Sequence, residues 1–283
     1  MTRVAIVTDS SADLDPRVAA ERGVTVVPVA ITLGAGAIRA RAPALYDGSA
    51  RDVGSNAADD PRREMVEVFT TAFASLAALS GAVVAVLMSG RLGDGVAAAT
   101  EARERVVGDV AVMVVDSRSV SLGLGFQVLH AAALAEQGVD ASEIATELLA
   151  TRDRYQVAFS VESVEHLRRS GQVGRSAALI AEALQLKPLL RLDEGQIVPY
   201  ERARTRARAI AELADFVREL PAIERCAVLY ATNRNDANRL LRAVAEDTGL
   251  PPDRLTVHRI GEVVAAQVGP GALGVAVEEA DLG

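Results

Sequence analysis

The chain has 283 residues, half of them hydrophobic and 24% charged, a globular composition with ample material for one large domain or two ordinary ones. A formal net charge of −8, the absence of Trp and only 5 Phe and 4 Tyr argue against nucleic acid as a partner, since neither a basic surface nor stacking platforms are on offer. The lone Cys226 excludes a disulfide framework and a cysteine-rich metal site, and no apolar run reaches the roughly 18 residues of a transmembrane helix.

The first strand is read at Val4 to Val7, followed by the polar turn Thr8-Asp-Ser-Ser-Ala-Asp13 and a short helical stretch. Val24 to Thr32 reads as the second strand. Strand, hydroxyl-rich loop, helix and strand in succession is the rhythm of a mostly parallel sheet. Gly34 to Asp60, rich in Gly, Ala, Asp and Ser, is expected to be a surface loop with a short helix near Pro43 to Tyr46. Met65, Val66, Phe69, Phe73 and Leu76 recur at helical spacing just after Pro61, predicting a helix over 61–80. Its packing belongs to the first domain, with contact to the second left open. Ala82 to Met88 is a buried strand that runs into Ser89-Gly-Arg-Leu-Gly-Asp-Gly95 and an alanine-rich helix. Val110 to Val115 is a further strand, ended by Asp116-Ser-Arg-Ser119, and a helix follows over Gly123 to Gln137.

From Ala141 the pattern changes. Helical segments flank a strand at Gln156 to Ser160, then come a helix over Val164 to Arg169, a glycine-broken loop at Ser170 to Gly174 and a helix over Ser176 to Gln185. Leu189 to Leu192 and Gln196 to Pro199, separated by Asp193-Glu-Gly195, read as an antiparallel hairpin. A helix (Arg206 to Leu220), a strand (Cys226 to Ala231), a helix (Asn235 to Thr248) and a strand (Arg254 to His258) complete the pattern. The expected fold class is α/β with two domains: residues 1–152 with a mostly parallel sheet flanked by helices, and residues 153–283 as an α+β lobe.

In a parallel sheet, loops leaving the carboxyl ends of the strands converge on one crevice. Three such loops carry small and polar residues: Thr8 to Ser11, Ser89 to Gly95 and Asp116 to Ser121. Each feeds a helix and could offer backbone N–H groups to an anion; taken singly each is more simply an ordinary cap or turn, and only the three together on one sheet edge bring the two readings level. Nucleotide binding is disfavoured, because neither Gly-x-Gly-x-x-Gly after the first strand nor a Gly-x-x-x-x-Gly-Lys-Ser/Thr loop is present. Hydrolysis is disfavoured too. His130, His166 and His258 lie within helical or strand patterns, adjoin no nucleophile, and read as surface or capping residues. The arginines from Arg202 to Arg208 read as a solvated face, and Cys226 as a small buried thiol.

These loops resemble those of the DegV family. Val4-Ala-Ile-Val-Thr-Asp-Ser-Ser-Ala-Asp-Leu14 is similar to that family's opening strand and loop, and Val26-Val-Pro-Val29 to its second strand. Asp116-Ser-Arg-Ser-Val-Ser-Leu-Gly-Leu-Gly125 is similar to its mid-chain Asp-Ser signature. Val164 to Arg175 with Leu186-Lys-Pro-Leu-Leu190 resembles its leucine, basic-glycine and Lys-Pro series, and Gly269-Pro-Gly-Ala-Leu-Gly274 its closing Gly-Pro-Gly. The resemblance implies two α/β domains carrying one long-chain fatty acid, with the carboxylate at the domain interface and the acyl tail in the C-terminal domain. It implies lipid binding and no chemistry of the chain's own.

The head-group motifs depart from the family pattern. Gly54-Ser-Asn-Ala-Ala58 puts Gly54 where the family has a head-group Thr, and Leu92-Gly-Asp-Gly95 puts Gly93 in place of a Ser, with Asp94 and Gly95 following. Gln267 stands for a family His and Gln172 for a basic residue. In the order the family implies, the head group is assigned to Ser10, Gly54, Ser55, Ser89, Gly93 and Asp94, with Ser117 and Gln267 as further contacts. The tail is assigned to Leu179, Ile180, Leu184 and Leu186, residues that serve equally well as plain core. Asp94 is expected either to repel a carboxylate or to turn away and cap the following helix. The ligand is therefore a fatty acid or related acyl lipid with an altered, less anionic head group, or has been lost. No cofactor or metal is expected, and the location is cytoplasmic. The alternative is a carrier subunit presenting an acyl substrate to a fatty acid kinase partner.

Overall fold

A computed structural model describes residues 3–33, 36–39, 60–106, 110–171 and 186–281. The chain divides into two compact units: Met1–Val120 with Leu124–Arg152, and Ser121–Gly123 with Asp153–Gly283.

The first unit is built on four parallel strands, β1 (Val4–Asp9), β2 (Val24–Val27), β5 (Ala82–Leu87) and β6 (Ala111–Asp116), in the order β2-β1-β5-β6. β5 is buried at every position, as an inner strand covered on both faces must be, which is why it reads as an unbroken apolar run. Helices α1 (Pro16–Glu21), α2 (Pro61–Ala77), α3 (Gly95–Arg105), α4 (Leu122–Glu136) and α5 (Ala141–Thr151) belong to this unit, apart from the first two residues of α4. Asp60 caps α2 by accepting from the Arg62 N–H, and Pro61 sits where no intrahelical donor is needed. Phe69 and Phe73 of α2 pack on Val83, Ala85 and Leu87, while Ala98, Ala99 and Ala102 of α3 fill the same layer. Helix α2 packs on α3, β2 and β5, all within the first unit.

The second unit is a mixed six-stranded sheet, β11-β10-β12-β7-β8-β9, formed by β7 (Tyr155–Ser160), β8 (Lys187–Asp193), β9 (Gln196–Ala203), β10 (Ile223–Tyr230), β11 (Leu255–Arg259) and β12 (Leu273–Glu279). Only β10 and β11 run parallel; every other pairing is antiparallel. Glu194 and Gly195 both have positive φ, 48° and 78°, the two-residue turn that suits a right-twisted hairpin. Helices α7 (Arg206–Arg218) and α8 (Arg234–Thr248) cover one face, with Leu213, Phe216, Val217 and Leu240 against Val228, Val275 and Val277. Two shorter helices, α6 (Glu165–Arg169) and α9 (Glu262–Val268), pack on each other.

Four expectations need correction. The single strand Val24 to Thr32 is two: β2 ends before Pro28, which lacks the N–H a ladder needs, and β3 (Ala30–Leu33) pairs instead with β4 (Gly36–Arg39) in an antiparallel hairpin. The expected loop from Gly34 therefore opens with a strand. The strand expected to stop at Pro199 continues to Ala203, since β9 is an edge strand and a register shift opposite Leu189/Leu190 accommodates the proline. The last expected strand is not the last, because α9 and β12 follow it, and β12 lies inside the sheet. The helices expected at Pro43 to Tyr46 and Ser176 to Gln185 lie outside the described residues.

Candidate functional site

Strands β1, β5 and β6 are neighbours and parallel, so the three polar loops leave from one edge of one sheet. All three are closed by the same local device, a side-chain oxygen at the strand end accepting from the backbone N–H two residues on. Asp9 accepts from Ser11 N at 2.8 Å, Ser89 Oγ from Arg91 N at 3.2 Å, Asp116 from Arg118 N at 2.9 Å and Ser117 Oγ from Ser119 N at 3.0 Å. Longer bonds stitch the loops together. Met88 N donates to Asp9 at 2.8 Å, Gly90 N to Asp116 at 3.3 Å and Ser89 N to the Ser119 carbonyl at 2.9 Å. The Gln127 amide, from α4, donates to the Ser117 carbonyl at 3.1 Å.

Asp9 is the hub that residue spacing alone does not reveal. Its buried carboxyl accepts from both the backbone and the hydroxyl of Ser11 as well as from Met88 N, joining the ends of β1 and β5. Burial pushes its pKa up, opposed by those three donors, which favour the charged form. A charged residue closing an otherwise apolar strand is the signal that marks it. The buried Thr8 and Ser119 hydroxyls have no hydrogen-bond partner among the described residues.

The candidate residues fall as follows. The Ser10 hydroxyl accepts from Val29 N at 3.1 Å, which leaves its hydrogen to donate. Ser89 and Ser117 are buried, and their hydroxyls build the loops described above. At Gly93 an added Cβ would stand 2.8 Å from the Met88 methyl carbon, so the position is filled from the side by an apolar group. Asp94 occupies the N-cap position of α3 and is exposed, but its side chain makes no capping bond; the backbone carbonyl alone accepts from Ala98 N. The expectation that its carboxylate turns away to cap the helix is therefore corrected. Gly54, Ser55, Leu179, Ile180, Leu184 and Gln172 lie outside the described residues.

In the second unit, Gln267 lies buried in the last turn of α9, and half-buried Leu186 precedes β8. The Gly269-Pro-Gly271 loop after α9 is gripped from several elements. Gly269 has φ +86°, and a Cβ there would meet the His166 ring at 2.7 Å. A Cβ on Gly271 would stand 2.0 Å from Glu162 Cγ. The Thr232 hydroxyl donates to the Pro270 carbonyl at 2.6 Å and Arg206 Nη1 to the Gly271 carbonyl at 2.9 Å. Arg206 also pairs with Asp236 at 2.8 Å, so the expectation of a uniformly solvated arginine run fails at this residue. His166, expected on the surface or in a cap, is a packing partner of Gly269. Cys226 is buried as expected, and burial pushes its thiol up to about 12. Among the described residues, no group of three His, Cys, Asp or Glu could hold a metal ion, and no helix is long and apolar enough to cross a membrane.

A family model for uncharacterised proteins of the DegV family matches residues 3–280. The chain belongs to the DegV family. A DegV domain-containing protein of Deinococcus radiodurans is 32% identical over 284 residues, covering 97% of this chain and 98% of its own. One from Streptomyces coelicolor is 34% identical over 279 residues, again 97% and 98%. Among solved structures, a DegV family protein from Thermus thermophilus, described as fatty-acid binding, superposes with a TM-score of 0.80 at 27% identity, over 98% of this chain and 100% of that one. The DegV fold accounts for the α/β class and for the pairing of a parallel sheet with a mixed one.

Proposed function

We propose that the protein binds a long-chain fatty acid or a related acyl lipid. The observation that carries this reading is the similarity, along 98% of the chain, to a Thermus thermophilus protein described as binding fatty acid. Elementary energetics says which part of the ligand matters for what. Each buried methylene contributes roughly 0.8 kcal/mol, so a tail of about 16 carbons offers on the order of 10 kcal/mol before ordering losses. One charge-assisted head-group bond contributes about 1.5–3 kcal/mol. The tail therefore dominates affinity, and the head group decides selectivity.

In this reading the first unit contributes Ser10, Ser89, Gly93, Asp94 and Ser117 near the head group, together with Gly54 and Ser55. The second contributes Gln267 as a polar contact, and Leu186 with Leu179, Ile180 and Leu184 along the tail. An apolar Met88 methyl beside Gly93 and an exposed, uncapped Asp94 carboxylate favour a head group less anionic than a carboxylate. Native mass spectrometry of the protein with equal amounts of palmitate and hexadecanol tests both levels. The expected result is one lipid per chain, with the alcohol at least as abundant as the acid. No adduct with either lipid overturns lipid binding; palmitate bound to the exclusion of the alcohol overturns the head-group reading alone.

A further inference from the structure

We infer that Arg206 is a positioning residue for the lipid head group, fixing Gln267 through the Gly269–Gly271 loop without itself touching the ligand. The inference rests on the lipid-binding reading above and adds a residue that reading does not contain. Arg206 opens α7 and is one-fifth exposed, whereas Arg202, Arg204 and Arg208 around it are exposed. Its guanidinium makes two bonds in different directions, Nε to Asp236 at 2.8 Å and Nη1 to the Gly271 carbonyl at 2.9 Å. Asp236 is itself buried and oriented by a second donor, the Asn233 amide at 2.9 Å, so the guanidinium is held in one pose.

The loop it grips has little freedom elsewhere. Thr232 holds the preceding carbonyl, Gly269 lies against His166, and Gly271 lies against Glu162. Gly269 N donates to the Ala265 carbonyl at 2.8 Å, carrying the loop directly into the last turn of α9, where Gln267 sits buried. A displaced Gly271 carbonyl therefore moves the end of α9, and Gln267 with it. The guanidinium serves its two acceptors from two separate nitrogens held in one plane, whereas a lysine has a single nitrogen, which placed opposite Asp236 is poorly matched to the Gly271 carbonyl as well.

That chemical difference makes the test. Palmitate and hexadecanol dissociation constants are measured for wild type, R206M, R206K, Q267A and R206M/Q267A, with Tm recorded for each. A positioning role predicts that R206M and R206K both weaken binding of the preferred lipid about tenfold, even where R206K keeps its Tm. It also predicts that in the Q267A background R206M changes binding less than about twofold, because the residue it acts through is gone. R206K binding within about twofold of wild type overturns the inference, as does R206M weakening Q267A as much as it weakens wild type. Wild type binding neither lipid is a different result, which removes the lipid-binding reading and this inference with it.

Discussion

The carboxyl edge of the first unit's sheet and the Gly-Pro-Gly end of the second unit's sheet are both polar structures at strand ends, yet they are built by opposite means. In the first, the bonds that shape each loop span two residues: Asp9 to Ser11, Ser89 to Arg91, Asp116 to Arg118 and Ser117 to Ser119. In the second, the partners are distant in sequence: Arg206 reaches Asp236 and Gly271, 30 and 65 residues away, and Thr232 reaches Pro270, 38 away. A loop closed first by its own side chains carries part of its shape in its own sequence, and here Met88 N, Gly90 N and Ser89 N add the bonds that tie one loop to the next. A loop closed by remote partners exists only in the finished fold, and every anchor is a point of failure.

The sharpest challenge to this contrast is Asp9, where the local pattern also carries a long-range bond to Met88. Asp9→Ala strands the Met88 and Ser11 donors in a buried site, an expected loss on the order of 3–5 kcal/mol in denaturant unfolding. The pH dependence has a definite sign. Burial raises the folded-state pKa above 3.8, so the stability Asp9 contributes is fully present below that value and is lost as pH rises through the raised one. Wild type measured against Asp9→Asn should thus gain relative stability between pH 7 and pH 4; a difference that shrinks on acidification contradicts a raised pKa.

On the other side of the comparison, Gly271→Ala forces a methyl into Glu162 and should destabilise by about 2 kcal/mol. Because the obstacle is one identified side chain, Glu162→Ala in the same molecule should recover most of that loss. Four Tm values decide it, and equal losses with and without Glu162 would mean the strain lies in the backbone. Gly93→Ser should be milder, about 1 kcal/mol or less, since the obstructing Met88 methyl is the end of a flexible chain. It should shift preference from hexadecanol toward palmitate by about tenfold, the worth of one charge-assisted bond.

The same contrast governs what could be read before the fold was known. Strands β1, β5 and β6 are apolar runs ended by Asp or Ser, so their loops, and Ser10, Ser89 and Ser117 within them, were legible. The inner strand β12 was not, because Gly274 follows closely on the Gly269-Pro-Gly271 run and extends its turn-like pattern. Gly274 is there because a Cβ would stand 2.7 Å from the Ala158 carbonyl on the paired strand. Arg206 is indistinguishable from its arginine neighbours until Asp236 and Gly271 are brought beside it. Met88 and Gly93 are five residues apart, and only the turn between β5 and α3 sets the methyl against the glycine.

The gentlest probe uses Cys226, which lies in β10 within the second unit's core. With burial pushing its thiol up to about 12, hardly any native molecule carries a thiolate at pH 8, whereas a sizeable fraction does in an unfolded chain with an ordinary pKa near 8.5. Native protein should therefore react with a disulfide reagent only through opening of the second unit, and the labelling rate becomes a measure of that opening. Gly271→Ala, which weakens the remote anchors of that unit, should accelerate labelling by about tenfold or more, while Gly93→Ser, confined to a loop of the first, should leave it within about twofold. Equal acceleration by both substitutions would mean that the two strand ends fail together. The distinction between locally and remotely closed loops would then say nothing about how this protein comes apart.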